Sequence, residues 1–361
     1  MLGLIGARRT EALLPRLRRL GPGLHQAPFR GVDWVVTDRA LLCDFPALVP
    51  DGRWEGHRLR PALYRAPPPA ARTGRRLRDT EGFFEEFARA APVGHAIGPA
   101  VGRARERWLT QGRLDAAVDL AELCAEATWQ SLLGVPGPPG RALLLWGRRR
   151  LGSGPADDAD ELVVDLLRDA TRASPKLGYW AERAAAWRLD EDVAMLLAAG
   201  LAERFALPRV ATLTGLTGAL ALSPRVADQL AATPPLRAGA LLDAARLFGG
   251  PRATSGTLLA AHPSPAGPLP AGARVVVAPH LARTAPSVVP DAARLDPRRH
   301  DADPTLMALL PPGAGGADDP LLAAALDALL TLRWRAAPPR LDLDALLPLA
   351  DPLRLQDLVE R

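Results

Sequence analysis

Lysine is nearly missing from this chain. Lys176 is its one occurrence in 361 residues, so almost all positive charge is arginine. Cysteine is nearly as scarce, with Cys43 and Cys124 alone. Two cysteines give neither a disulfide framework nor a zinc spacing. The six histidines, His25, His57, His95, His262, His280 and His300, are scattered, and no pair has the helical spacing of a metal site. No window long enough to cross a bilayer is without charge, so no membrane span is expected. The N-terminus is Arg-rich and amphipathic but lacks the order of a signal peptide, which leaves the cytoplasm as the expected compartment.

What is abundant is Ala, Leu, Gly, Pro and Arg. The net charge of +5 and the pI near 10.1 would ordinarily point toward nucleic acid. An arginine-for-lysine bias of this kind fits a GC-rich coding sequence instead. The Arg clusters at 16–19, 75–78 and 148–150 have only Trp54 and Trp146 near them, too few for a base-stacking platform. They read as solvated faces or partner patches, and no nucleic-acid partner is expected. With 48% hydrophobic residues the chain can bury a large core without staples. It is read as a single domain over 1–361.

Periodicity predicts a mainly α protein with a minor β part. "GVDWVVTDRALLCDF" reads as a strand followed by a helix capped at Thr37 or Asp38. Helical spacing dominates from Glu81 to Val135, and further helices are expected from Arg141 and over 159–173, 177–187 and 190–221. Pro208 lies inside the last of these and should kink it. "LPAGARVVVAPH" is the clearest strand, "DPRRHDADP" a loop, and "PLLAAALDALLTLRWRA" an apolar helix.

The order of late segments resembles the cytochrome P-450 family. From Ala282 to Arg299 the match keeps Pro286, Val288, Pro290, Asp291, Arg294, Asp296, Pro297 and Arg299 without a gap. "LLDAARLFGG" resembles the family's K helix, "SPRVADQL" the start of its J helix, and "DWVVTDRALL" its early strand and B helix. The resemblance is good over about 185–340 and weak before that. It implies the P-450-like fold and a buried triad of Asp243, Arg246 and Arg299, in which an Arg fork ties a loop to a helix.

The same resemblance exposes three departures. In the family's haem loop, "P-F-G-x-G-x-R-x-C-x-G", a cysteine thiolate binds the iron. Aligned on Gly313 and Gly315, this chain has Asp319 at the cysteine position. A carboxylate is a harder donor that does not support O–O cleavage. Asp319-Pro320 reads better as a helix cap with proline at the first helical position. The I-helix motif "A-G-x-[D/E]-T" aligns without gaps on Arg204, Phe205, Ala206, Leu207 and Pro208, where Phe205 fills the oxygen groove and Leu207 and Pro208 relay no protons. A shifted register puts Ala199 and Gly200 there, followed by Leu201 and Ala202. Propionate contacts are equally degenerate: Trp54 with Arg58, His95, or Arg252.

No catalytic constellation and no metal site are expected, and haem is expected to be absent. Haem-free relatives of the family activate antibiotic glycosyltransferases in actinobacterial secondary metabolism. The likeness therefore implies a non-catalytic auxiliary protein with a protein partner, possibly a glycosyltransferase. The alternative is an enzyme on the same fold, with an atypical haem ligand or a haem-independent cyclisation or isomerisation of a lipophilic substrate.

Overall fold

A computed structural model describes residues 96–150, 158–189, 192–249 and 319–340 throughout. It also describes shorter stretches at 18–19, 23–26, 33–37, 54–56, 79–89 in part, 254–302 in part, 341 and 353–361. Three short strands come first: β1 (Leu24–Gln26), β2 (Trp34–Val36) and β3 (Trp54–Gly56). Helix α1 (Ile97–Gln111), strand β4 (Arg113–Asp115) and helices α2 (Val118–Leu133), α3 (Gly140–Arg150), α4 (Asp158–Arg172) and α5 (Leu177–Ala186) follow. Helix α6 (Val193–Gly200) runs through a π turn at Leu201–Ala206 into α7 (Leu207–Leu222). Next are α8 (Pro224–Ala232), α9 (Leu236–Phe248), β5 (Thr254–Leu258), β6 (Arg274–Val277), α10 (Pro279–Thr284) and α11 (Arg299–Ala302). The chain closes with α12 (Pro320–Leu330), β7 (Leu332–Arg335) and β8 (Arg354–Glu360).

The helical core is formed by α1, α2, α7 and α12, with α1 packed on both α2 and α12 and α7 on α2 and α12. Trp108, Trp129, Leu213, Leu216, Leu326 and Leu329 fill it and are fully buried or nearly so. Trp129 buries its indole N–H with a partner, donating to Thr171 Oγ1 at 3.0 Å and fastening α2 to α4. One sheet has the order β1-β2-β6-β5-β3, and β2 pairs in parallel with β6. That pairing joins the first and last thirds of the chain, and the Asp33–Arg274 ion pair at 2.9 Å anchors its edge. Hydrogen bonding from Arg274 holds the Asp33 carboxyl below its ordinary range. The second sheet has the order β4-β8-β7.

The mainly α architecture with minor β parts agrees with the periodicity, and the helices expected over 159–173, 177–187 and 190–221 start and stop within three residues of those bounds. The apolar helix expected over "PLLAAALDALLTLRWRA" instead ends at Leu330, because Leu332–Arg335 pairs with β8 as strand β7. Two further readings need correction and a third is untested. The loop assigned to "DPRRHDADP" contains the short helix α11. Trp54 lies in strand β3, so its spacing to Arg58 does not mark a helix. Thr37 exchanges hydrogen bonds with Gly23 at 3.0 and 3.2 Å, and the helix expected after it lies outside the described residues. The distortion expected at Pro208 falls in the turn before it. Proline has no N–H for the ladder, and the π turn lets the chain pass it with Pro208 in the first turn of α7.

The run 193–222 is long and apolar enough to cross a membrane, but 72% of its apolar window is buried inside the fold, as in a core helix.

Helix α9 approaches the return segment so closely that a Cβ at Gly239 would stand 1.9 Å from the Pro297 carbonyl oxygen, whereas at Gly102 it would meet nothing within 4 Å. We expect Gly239→Ala to destabilise by about 2 kcal/mol, since backbone must move. Gly102→Ala should be neutral or stabilise by up to about 1 kcal/mol. Urea unfolding of the two variants side by side checks this.

Candidate functional site

Asp243 sits in α9 with no exposed surface, an expensive place for a carboxylate without partners. Its Oδ1 accepts from Arg246 Nε at 2.6 Å and from Arg299 Nε at 3.1 Å, and its Oδ2 accepts the backbone N–H of Asp296 at 2.8 Å. Arg246, also fully buried, donates through Nη1 to the carbonyls of Arg283 at 2.7 Å and Ala292 at 2.9 Å. Arg299 donates through Nη2 to the carbonyls of Arg294 at 3.0 Å and Asp291 at 3.3 Å. The structure thus brings Asp243, Arg246 and Arg299 together and uses them to hold the backbone at Arg283 and over residues 291–296. The shorter side chain of Asp, compared with Glu, suffices because Asp296 brings its own N–H to the carboxylate. His300 is 3.8 Å from Asp243 Oδ1. Burial lowers its pKa against the raising effect of Asp243, and Arg246 and Arg299 lower it further.

Asp319 is the N-cap of α12. Its Oδ1 accepts the N–H groups of Leu321 at 3.0 Å and Leu322 at 3.3 Å, and Pro320 occupies the first turn. Its Oδ2 accepts from Arg209 Nε of α7 at 2.7 Å. Arg209 also reaches Thr128 Oγ1 of α2 at 3.4 Å. Cys124 stands one helical turn before Thr128. Burial pushes its thiol up to about 12, with Asp319 raising and Arg209 lowering it, so it carries no thiolate at neutral pH. Among the described residues no three of His, Cys, Asp and Glu form a metal-holding group.

The long helix carries an aromatic cluster where the alignment places the family's oxygen groove. A Cβ at Gly200 would lie 2.0 Å from the Phe84 ring, so the glycine is there to admit that ring. Phe84 is 2% exposed, with Phe83 at 5.2 Å and Phe87 at 6.3 Å between ring centroids. The guanidinium of Arg204 lies over it at 4.7 Å. Phe205 joins the same cluster, 6.3 Å from Phe87, which packs on Trp180 at 4.4 Å. Leu207 and Pro208 open α7 on the far side of the π turn. An ion pair between Glu86 and Arg183, with Trp187 Nε1 donating to Glu86 at 2.7 Å, braces the cluster from outside.

Gly313, Gly315, Cys43, Arg58, His95 and Arg252 lie outside the described residues. Sequence reasoning missed Phe84 and Arg209. Phe84 belongs to "EGFFEEF", where the only signal was three aromatic residues in five positions. Arg209 was adjacent to the aligned I-helix motif, a charge in the middle of an apolar helix, and that was the signal to ask for its partner.

Asp243→Asn should cost about 3–5 kcal/mol, because two guanidiniums lose their buried counter-charge, and chemical denaturation measures it. His300 contributes a pH dependence of definite sign. Its folded pKa lies below the unfolded value of about 6.5, so the unfolded state binds the proton first. Stability from the neutral ring is present above that value and is lost as pH falls from it through the folded pKa. His300→Phe should narrow the drop in Tm between pH 7.5 and pH 5.5.

No protein-family model matches the chain, and no curated protein matches it by sequence. Solved structures match over nearly its whole length. CalO2 superposes with a TM-score of 0.63 at 20% identity, over 97% of this chain and 96% of that one. CYP101J2 gives 0.63 at 17%, over 96% and 92%. Cytochrome P-450 MoxA from Nonomuraea recticatena gives 0.60 at 16%, over 97% and 95%. Identities this low speak for architecture alone, and on that ground, together with the order of its helices and sheets, the chain has the cytochrome P-450 fold.

Proposed function

We propose that this protein is a haem-free member of the P-450 fold that performs no chemistry and acts by binding a partner enzyme. The observation that carries the reading is the state of Asp319. The residue at the family's iron-ligand position spends one oxygen on the N-terminus of α12 and the other on Arg209. Arg209 of the long helix already reaches across to that position. The residues present therefore do not fit a thiolate-ligated haem. Cys124, fully protonated in the core of α2, offers no substitute.

A binding role is supported by the surface. Among the described residues, Leu145 on α3, Leu162 and Leu166 on α4 and Tyr179 on α5 are large apolar side chains exposed on three consecutive helices. Leu162 and Leu166 are one turn apart and share a face. Such a face gives up solvent favourably to a partner. A partner that binds only the competent state of its enzyme raises that state's population by linkage. By the family likeness the enzyme is a glycosyltransferase, in the cytoplasm of a secondary-metabolite producer.

Protein purified from haem-supplemented cells is expected to show no stoichiometric Soret band and no carbon-monoxide difference band, while melting cooperatively. A Soret band at one equivalent overturns the haem-free reading. Immobilised protein should retain a glycosyltransferase encoded beside its gene and raise that enzyme's Tm or activity. Absence of both effects removes the partner assignment.

A further inference from the structure

Building on the haem-free reading, we infer that the chain refuses haem through its packing as well as through the missing cysteine. Phe84 on Gly200 and Arg209 on Asp319 have taken over the two places a haem needs, and restoring a cysteine at 319 does not by itself restore binding.

The first closure is aromatic. The Phe84 ring is seated against the backbone of Gly200, where a single added carbon would collide at 2.0 Å. Arg204 covers it at 4.7 Å, and Phe83 and Phe87 hold its edges. Gly200 belongs to the Ala199-Gly200 pair that the shifted alignment places at the oxygen groove. A glycine that would leave room for a diatomic ligand here leaves room for a benzene ring. Interiors packed this closely do not admit a large flat group without displacing side chains.

The second closure is ionic. Asp319 has both oxygens engaged, and its side chain is 5% exposed against 17% for Arg209. Cysteine at this position caps the helix poorly and leaves Arg209 in the core without its carboxylate. A thiolate formed there faces a guanidinium before it faces any iron. The two closures lie on one continuous helical run, nine residues apart, so each blocks the site on its own.

The test uses the full chain expressed with a haem precursor, comparing the parent with Asp319→Cys and with the triple variant Asp319→Cys, Arg209→Ala, Phe84→Ala. Asp319→Cys should show no Soret band and a Tm lower by about 5 °C, from the lost cap and the stranded arginine. The triple variant should gain a Soret band that shifts with carbon monoxide after reduction. A Soret band in Asp319→Cys, with none in the parent, overturns the inference and leaves the haem-free reading intact. A triple variant that melts cooperatively and stays colourless also overturns it. If the triple variant does not fold, the cycle of Arg209→Gln and Asp319→Asn decides. The double variant should lose less Tm than the sum of the singles, and strict additivity sinks the ionic closure. A Soret band in the parent sinks the haem-free reading itself, a separate outcome.

Discussion

One buried carboxylate organises the C-terminal half of this molecule. Asp243 is surrounded by two guanidiniums and a backbone N–H, and those guanidiniums also donate to the carbonyls of residues 283, 291, 292 and 294. A loop this irregular has few ladder bonds of its own, so its backbone oxygens need donors from elsewhere. The arginines supply them in a fixed planar geometry that lysine does not reproduce. That gives physical content to a chain with almost no lysine, at least at this point. It also explains why Gly239 must be a glycine: the loop is drawn against α9 until its Pro297 carbonyl touches the helix.

The positions at which the chain departs from the family's motifs carry structural contacts of their own. Asp319 is not an empty ligand site; it is a capped helix end with an ion pair. Gly200 is not a vacant groove; it is the floor under an aromatic ring. Each replacement satisfies local rules of capping, packing and charge pairing as a stable core demands. A chain merely decaying would leave cavities and unmatched charges at such places.

Much of this was legible beforehand, and the boundary of legibility has a reason. Long helices with apolar periodicity declared themselves because their pattern is local. Asp319-Pro320 declared itself as a cap for the same reason: the residue types and their order suffice. The Asp243 cluster needed the family likeness, since nothing in a spacing of 56 residues shows that Arg299 returns to it. Phe84 and Arg209 escaped because their partners are 116 and 110 residues away, and an aromatic on an apolar face reads the same whatever it packs against. Trp54 misled for a related reason. A Trp-x-x-x-Arg spacing fits a helix, but β3 takes its conformation from pairing with Thr254–Leu258, about two hundred residues later.

The parallel pairing of β2 with β6 has a temporal side. Trp34 waits for Val275 and Val36 for Val277, so the early strands emerge from the ribosome long before their partner exists. Helices α2, α3 and α4 pack in series on one another and are made in that interval, whereas α1 and α7 also wait for α12 and α9. The order of synthesis thus gives α2 to α4 a head start, then supplies β6 to the sheet and α12 to the helical core last. The unpaired edge of β2 is then a vulnerable surface during biogenesis. That edge stays open until the final quarter of the chain arrives.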